Sequence, residues 1–446
     1  MKKNFSTFQS IQTIDKASKK KRPMEFVSSL VLIIIVSAAC SLPSSPTTIP
    51  PTTSSAQVTK GIPSDTPGPT NKPESATETP TNSPKPTELD ALLPIYLPAS
   101  FVVDLNDREI LNINDLVGEI INEVPAPGMA VASSPTSVHV AGRSSDGYTP
   151  PIVYISTDNE GSLQYFDNGE IITVAITPFI SYLIGALGQP TMVYSAAEFK
   201  ENVLESELFI GNLETLHEAE PVMVRTDSTA WTFRPMAITM VGGQPLGIWY
   251  SLTPWGIGGD IVFAPRSGLY HLALTTNQIK EHLVPSFNPI SFSPDLTWLA
   301  YTDDQIEQPL TIMPNLDTER AISFPLAAES DRGAGNAVFS PDNQYVAWME
   351  ASGMRFASVP DFKILIRIAS TNGEFITEFP DITVAEAIGS QDIQWVEPVG
   401  WLDDETLLLQ VKYNTWDNDA IVRVKFDGSE ISTLAAGSFA AFIYPK

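Results

Sequence analysis

The sequence predicts an all-β fold, a ring of four-stranded antiparallel sheets, seven in number with six as the alternative. Three observations predict it. Two nearly identical stretches, SFSPDLTWLAY at 291–301 and VFSPDNQYVAW at 338–348, recur with their prolines 47 residues apart. Each is followed by a second strand–turn–strand pattern, LTIMPNLDTERAISF at 310–324 and ILIRIASTNGEFITEF at 364–379. Four short strands in roughly 45–50 residues is the size of one β-propeller blade.

The chain starts with different material. KKKR at 19–22 precedes the apolar run FVSSLVLIIIV at 26–36, and SAAC ends at Cys40, the single cysteine among 446 residues. A basic segment, a short apolar core and small residues before a cut describe a secretory signal over 1–39. The apolar core is shorter than the roughly 20 residues a spanning helix needs. Ser37-Ala38-Ala39-Cys40 resembles the bacterial lipobox. That resemblance implies a lipidated Cys40 (a diacylglyceryl thioether, with a palmitate-type acyl chain) holding the protein to the cell membrane on its extracytoplasmic side.

Residues 40–95 are rich in Pro, Thr and Ser and nearly free of large apolar side chains, as in SLPSSPTTIPPTTSSAQ. Such a stretch cannot bury enough surface to offset chain entropy, so the reading is a disordered linker or stalk. The β-propeller domain is then 96–446. Beyond residue 39 the chain carries 19 basic against 50 acidic side chains. That balance repels nucleic acid and anionic headgroups, so no nucleic-acid partner is expected.

The repeat units follow in order. VASSPTSVHVAG at 131–142 leads to PIVYISTDNEGSLQYF at 151–166. GQPTMVYS at 188–195 leads to SELFIGNLETLHEAEPVMV at 206–224, and WTFRPMAITMV at 231–241 to DIVFAPRSGLYHLAL at 260–274. The two clear copies come next. VGWLDDETLLLQ at 399–410 with IVRVKFDGSEISTL at 421–434 makes the sixth. A seventh is split between the ends: SFAAFIY at 438–444 supplies the inner part and SFVVDLNDREILNI at 100–113 the outer, closing the ring and removing open edges. Helices are expected at 177–188 (TPFISYLIGALG) and 112–125 (NINDLVGEIINEVP) from their capping residues. A β-sandwich with fortuitous Ser-Pro-Asp turns is the competing architecture.

Phe292-Ser293-Pro294-Asp295 and Phe339-Ser340-Pro341-Asp342 resemble the TolB-type, WD-like β-propeller repeat, whose signature is a strand, Phe-Ser-Pro-Asp-Gly and an alternating strand. Leu296 and Asn343 replace the final Gly. The resemblance implies a role in an envelope assembly; the stalk and anchor depart from TolB itself, so a Tol-system role is not carried over.

In a four-stranded meander the Ser-Pro-Asp turns and the tight strand 3–4 turns share one face, and the strand 2–3 loops emerge on the other. Those loops are long here, and long loops on a rigid scaffold are where binding usually resides. They hold Trp255 and Trp416, with Asp303, Asp304, Asp417 and Asp419 nearby. Aromatic rings beside carboxylates suit a protein or peptide partner bound without catalysis, the alternative being a carbohydrate-binding or polysaccharide-degrading surface lipoprotein; the competing reading of the Trp side chains is that they fold back to cap the blades. Oxygen-rich stretches at 157–161 and 417–420 make calcium the one ion considered, and no cofactor or metal is assigned. No catalytic residues are assigned either: there is no G-x-S-x-G elbow or H-E-x-x-H, and His139, His217, His271 and His282 come singly from different units.

Overall fold

The computed structural model describes residues 97–446 apart from 106–108, 128–136, 146–147, 157–161, 168, 177–178, 202, 256–262, 264, 304–307, 328–331, 353–362, 391–392 and 414–418. The signal, Cys40 and the linker therefore lie outside the described residues.

The chain opens with three strands of one sheet, β1 (Ser100–Leu105), β2 (Ile110–Asp115) and β3 (Ile120–Pro125). Blade 1 follows as β4 (Val138–Val140), β6 (Ile152–Ser156), β7 (Ser162–Asp167) and β8 (Glu170–Ile176), with the short β5 (Arg143–Ser144) inserted. Blade 2 is β9 (Ile180–Gly185), β10 (Met192–Lys200), β11 (Val203–Gly211) and β12 (Met223–Asp227). Blade 3 is β13 (Trp231–Val241), β14 (Gln244–Pro254), β15 (Ser267–Ala273) and β16 (Gln278–Leu283).

Blade 4 is β17 (Asn288–Phe292), β18 (Trp298–Thr302), β19 (Leu310–Pro314) and β20 (Ile322–Phe324). Blade 5 is β21 (Arg332–Phe339), β22 (Tyr345–Ser352), β23 (Ile364–Ser370) and β24 (Phe375–Pro380). Blade 6 is β25 (Ile393–Trp401), β26 (Thr406–Tyr413), β27 (Ala420–Lys425) and β28 (Ser432–Ala436). The last strand, β29 (Ser438–Pro445), pairs antiparallel with β1 and completes blade 7 as its innermost strand. The protein is a seven-bladed β-propeller, and the split seventh blade joins C-terminal to N-terminal strands as the sequence predicts. The end is fastened further where β29 pairs parallel with β5, Tyr444 opposite Arg143.

First strands meet around the axis: β29 touches β4, and β4, β9, β13, β17, β21 and β25 contact one another in succession. Each blade is buried on both faces. Adjacent residues of one strand therefore enter different cores: Val346 and Trp348 pack toward blade 4, Ala347 and Met349 toward blade 6. Val102 and Val103 divide in the same way between blades 1 and 6. This is why the inner strands read as near-continuous apolar runs rather than as alternating ones.

The two Ser-Pro-Asp turns are superimposable in their bonding. Ser293 Oγ donates to Asp295 Oδ1 at 2.7 Å, Asp295 accepts from the Thr297 amide, and the Trp298 amide donates back to Ser293 Oγ at 2.9 Å. Ser340, Asp342, Gln344 and Tyr345 repeat the set. Serine and aspartate are thus required together, because the two side chains satisfy backbone amides that the turn would otherwise leave unpaired. Leu296 and Asn343 both take the left-handed conformation, at φ 63° and 60°.

Four expectations are corrected. The 177–188 segment holds the inner strand β9, not a helix: its apolar side chains pair along β10, and Gly188, read as a helix terminator, serves the β9–β10 turn at φ 60°. The 112–125 segment is the β2–β3 hairpin. Asp115, read as a helix cap, instead accepts from the amides of Val117 and Glu119, closing a turn around Gly118 at φ 92°. In both cases local capping chemistry serves a turn equally well, and sheet pairing decides. In 231–241 the proline is no turn residue; Pro235 sits inside β13 at a bulge on the innermost strand, and Gly242-Gly243 make the turn. In the 131–142 unit the inner strand is β4, which follows the Ser-Pro-Thr motif at 134–136; the motif lies outside the described residues.

Candidate functional site

The strand 1–2 turns of consecutive blades converge at one end of the axis and enclose a cavity of about 500 Å³. The β9–β10 turn contributes Gly185, Ala186, Leu187 and Gln189, β13 contributes Met236, Ile238 and Met240, and the first Ser-Pro-Asp turn contributes Phe292, Pro294 and Leu296. Phe339, Pro341, Trp401, Phe442 and Tyr444 complete the far wall. The mouth therefore mixes apolar and aromatic side chains with polar groups, Asp295 as its carboxylate and Gln189, Ser291 and Ser293 beside it.

Two close approaches shape it. At Gly400 a Cβ would lie 2.4 Å from the Phe442 ring, so only glycine lets that ring lie against β25. At Gly185 a Cβ would fall within the His139 ring. His139 is buried and its Nε2 lies 3.2 Å from the Gln189 carbonyl. Burial brings its imidazole down to about 4, so it stands neutral and donates to that carbonyl.

Opposite, Asn336 of β21 donates through Nδ2 to Glu397 Oε2 of β25 at 2.6 Å. Burial raises the Glu397 carboxyl, Lys412 at 3.8 Å opposes that rise, and the charge on Asp419 adds to it.

The expected long-loop site is assembled only in part. Trp416, Asp304 and Asp417 lie outside the described residues. Trp255 packs edge-on against Phe199 at 4.9 Å and Phe179 at 6.0 Å, both from blade 2. Asp419 accepts from Ser438 Oγ at 2.7 Å, and burial raises its carboxyl. Asp303 is exposed at the end of β18. Trp255, Asp303 and Asp419 thus belong to blades 3, 4 and 6; Trp255 and Asp419 are joined to framework neighbours, while Asp303 is exposed. The mouth was missed because its signal is spread thinly: single apolar residues just past each strand 1–2 turn, such as Leu296, with Met236 and Met240 at alternate positions of one strand.

Among the described residues no three His, Cys, Asp or Glu side chains converge as a metal site requires. Among the described residues His139 bonds a backbone carbonyl, His217 lies beside Glu218, and His271 and His282 pack against Trp249 at 4.4 and 4.7 Å between ring centroids. The calcium candidate at 157–161 and half of that at 417–420 fall outside the described residues.

No protein-family model and no curated protein matches the chain. Solved structures do. TolB from Acinetobacter baumannii is similar at 13% identity and TM-score 0.40, over 76% of this chain and 79% of that one. The β-propeller domain of the Trilobed protease from Pyrococcus furiosus is similar at 13% identity and TM-score 0.44, over 75% and 93%. Prolyl oligopeptidase B from Galerina marginata is similar at 11% identity and TM-score 0.44, over 78% of this chain and 51% of that enzyme. At these identities the likeness concerns the propeller fold alone.

Proposed function

We propose that this protein is a non-catalytic binding propeller, tethered outside the cell membrane through a lipid on Cys40 and a stalk over 40–95, that takes a protein or peptide partner. The observation that carries the binding role is the mouth: a cavity of about 500 Å³ with a mixed apolar, aromatic and polar lining, held on the rigid strand 1–2 turns. Aliphatic and aromatic walls interspersed with Gln189, Ser291, Ser293 and Asp295 suit the mixed side chains and backbone of a peptide. The tether rests on the sequence of 19–40 alone.

Affinity capture from detergent-solubilised native membranes tests the reading, with a Met240→Lys/Leu296→Lys double variant as control. One protein retained in near-equal amount by the wild type and lost from the variant supports it. Retention by both, with loss on Trp255→Ala, moves the site to the long-loop face. Retention of polysaccharide alone replaces the reading with a glycan-binding one. Mass spectrometry of the membrane-bound form, against Cys40→Ala, tests the anchor separately.

A further inference from the structure

Two arginines of blade 3 reach the inner strands of the neighbouring blades 2 and 4. Arg234 projects from β13 with its guanidinium carbon 4.8 Å from the centre of the Tyr182 ring of β9. Arg266 precedes β15 and reaches across to β17, where its Nη1 donates to the Pro289 carbonyl at 2.8 Å and to the Ile290 carbonyl. Its own amide is held by Asn288 Oδ1 at 3.0 Å. Both side chains keep partial exposure.

Their position relative to the mouth follows from the strands. Arg234 lies two residues from Met236, and Pro289 and Ile290 lie next to Ser291; Met236 and Ser291 both line the mouth. At about 3.3 Å per residue, Arg234 is set about 7 Å along β13 from Met236, and the carbonyls that hold Arg266 are set about 3–7 Å along β17 from Ser291.

The pair has no counter-charge among the described residues: neither guanidinium has a carboxylate within ion-pair distance. Arg367 shows the alternative in the same molecule, buried but flanked by Glu350 and Glu378. Burial lowers both Arg234 and Arg266, and the charge of Arg234 lowers Arg266 further. Two part-buried cations of one blade raise each other's cost unless an anion lies between them. That they are kept in a chain of net charge −26 sharpens the point.

We propose that Arg234 and Arg266, beside Tyr182, form a carboxylate-binding site next to the mouth, which takes an amphipathic monocarboxylate such as the free C-terminus of an apolar peptide. The carboxylate lies on the two guanidiniums, whose planar donors suit it, and the apolar body fills the mouth. This rests on the mouth being the binding face, but partner capture can fail without touching the small-molecule test below.

The test compares N-acetyl-leucine with N-acetyl-leucinamide by calorimetric titration and thermal shift at matched ionic strength. The acid is expected to bind the wild type at least about tenfold more tightly than the amide, the range of a charge-assisted hydrogen bond. Arg234→Gln is expected to bring the acid down to the level of the amide. Without ligand this variant should melt no lower than the wild type, since one of two repelling charges is gone. Equal binding of acid and amide, no binding of either, or an unchanged acid preference in Arg234→Gln would overturn the proposal. The acid–amide comparison needs no variant, so it stands even if Arg234→Gln fails to fold.

Discussion

Ser340 Oγ donates to Asp342 Oδ1 at 2.7 Å, and the same hydroxyl accepts from the Tyr345 amide. Ser293 and Asp295 repeat this geometry one blade earlier. Asp342→Ala, and equally Asp295→Ala, should lower stability by about 1–2 kcal/mol, the cost of leaving turn amides without their acceptor. Asp→Asn at either site keeps an oxygen acceptor and should lose less than half as much. Urea unfolding of the four variants checks both statements.

Leu296 bears a β-carbon in a left-handed turn position, at φ 63°. That conformation costs an L-residue about 1–2 kcal/mol, which glycine avoids. Because Leu296 is only half-buried, Leu296→Gly should leave the melting temperature unchanged or raise it. A fall of several degrees would mean that its packing in the mouth outweighs the backbone strain.

His139 gives a sign that can be worked out. Its folded value of about 4 lies below the ordinary 6.5, so between these values the unfolded chain binds the extra proton. Stability from this group is fully present above pH 6.5 and is lost as pH falls toward 4, by about 3 kcal/mol in all. His139→Gln should remove that part of the slope. Denaturant midpoints across the window for both proteins provide the measurement.

Glu397 has the opposite sign. Its carboxyl is raised by burial, so the folded state holds the proton to higher pH than the unfolded chain does. Its contribution is greatest in acid and is lost as pH rises through the range above the ordinary glutamate value. Glu397→Gln should therefore gain on the wild type as pH rises from about 4 to about 7. A stability difference that is flat or reversed over this range would show Lys412 to outweigh burial.

Trp255 meets Phe199 and Phe179 edge-on. Each such contact contributes about 0.5–1.5 kcal/mol beyond the area it buries, so Trp255→Ala should destabilise the fold by about 1–3 kcal/mol. Calorimetry of the variant decides whether this side chain is framework.

Much of the ring was legible because blade chemistry is local. Ser-Pro-Asp declares its turn within five residues, and both good copies fold as read. The weaker copies needed their neighbours. Asp115 and Gly188 carry the same chemistry in a helix cap and in a hairpin, and only pairing with the adjacent strand separates the two. Pro235 looked like a turn marker and is a bulge, because β13 runs on past it to Gly242. The long-loop residues are placed only individually: Trp255 packs on Phe199 and Asp419 accepts from Ser438, while Asp304, Trp416 and Asp417 lie outside the described residues.

By itself the sequence determined the repeat, its four-stranded unit and the joining of β29 to β1, since these follow from turn chemistry and apolar spacing along short stretches. Only the tertiary structure decided which side chains share a space. Met236, Leu296 and Phe442 line one mouth because ring closure brings inner strands far apart in sequence to a common axis. No local pattern encodes that convergence.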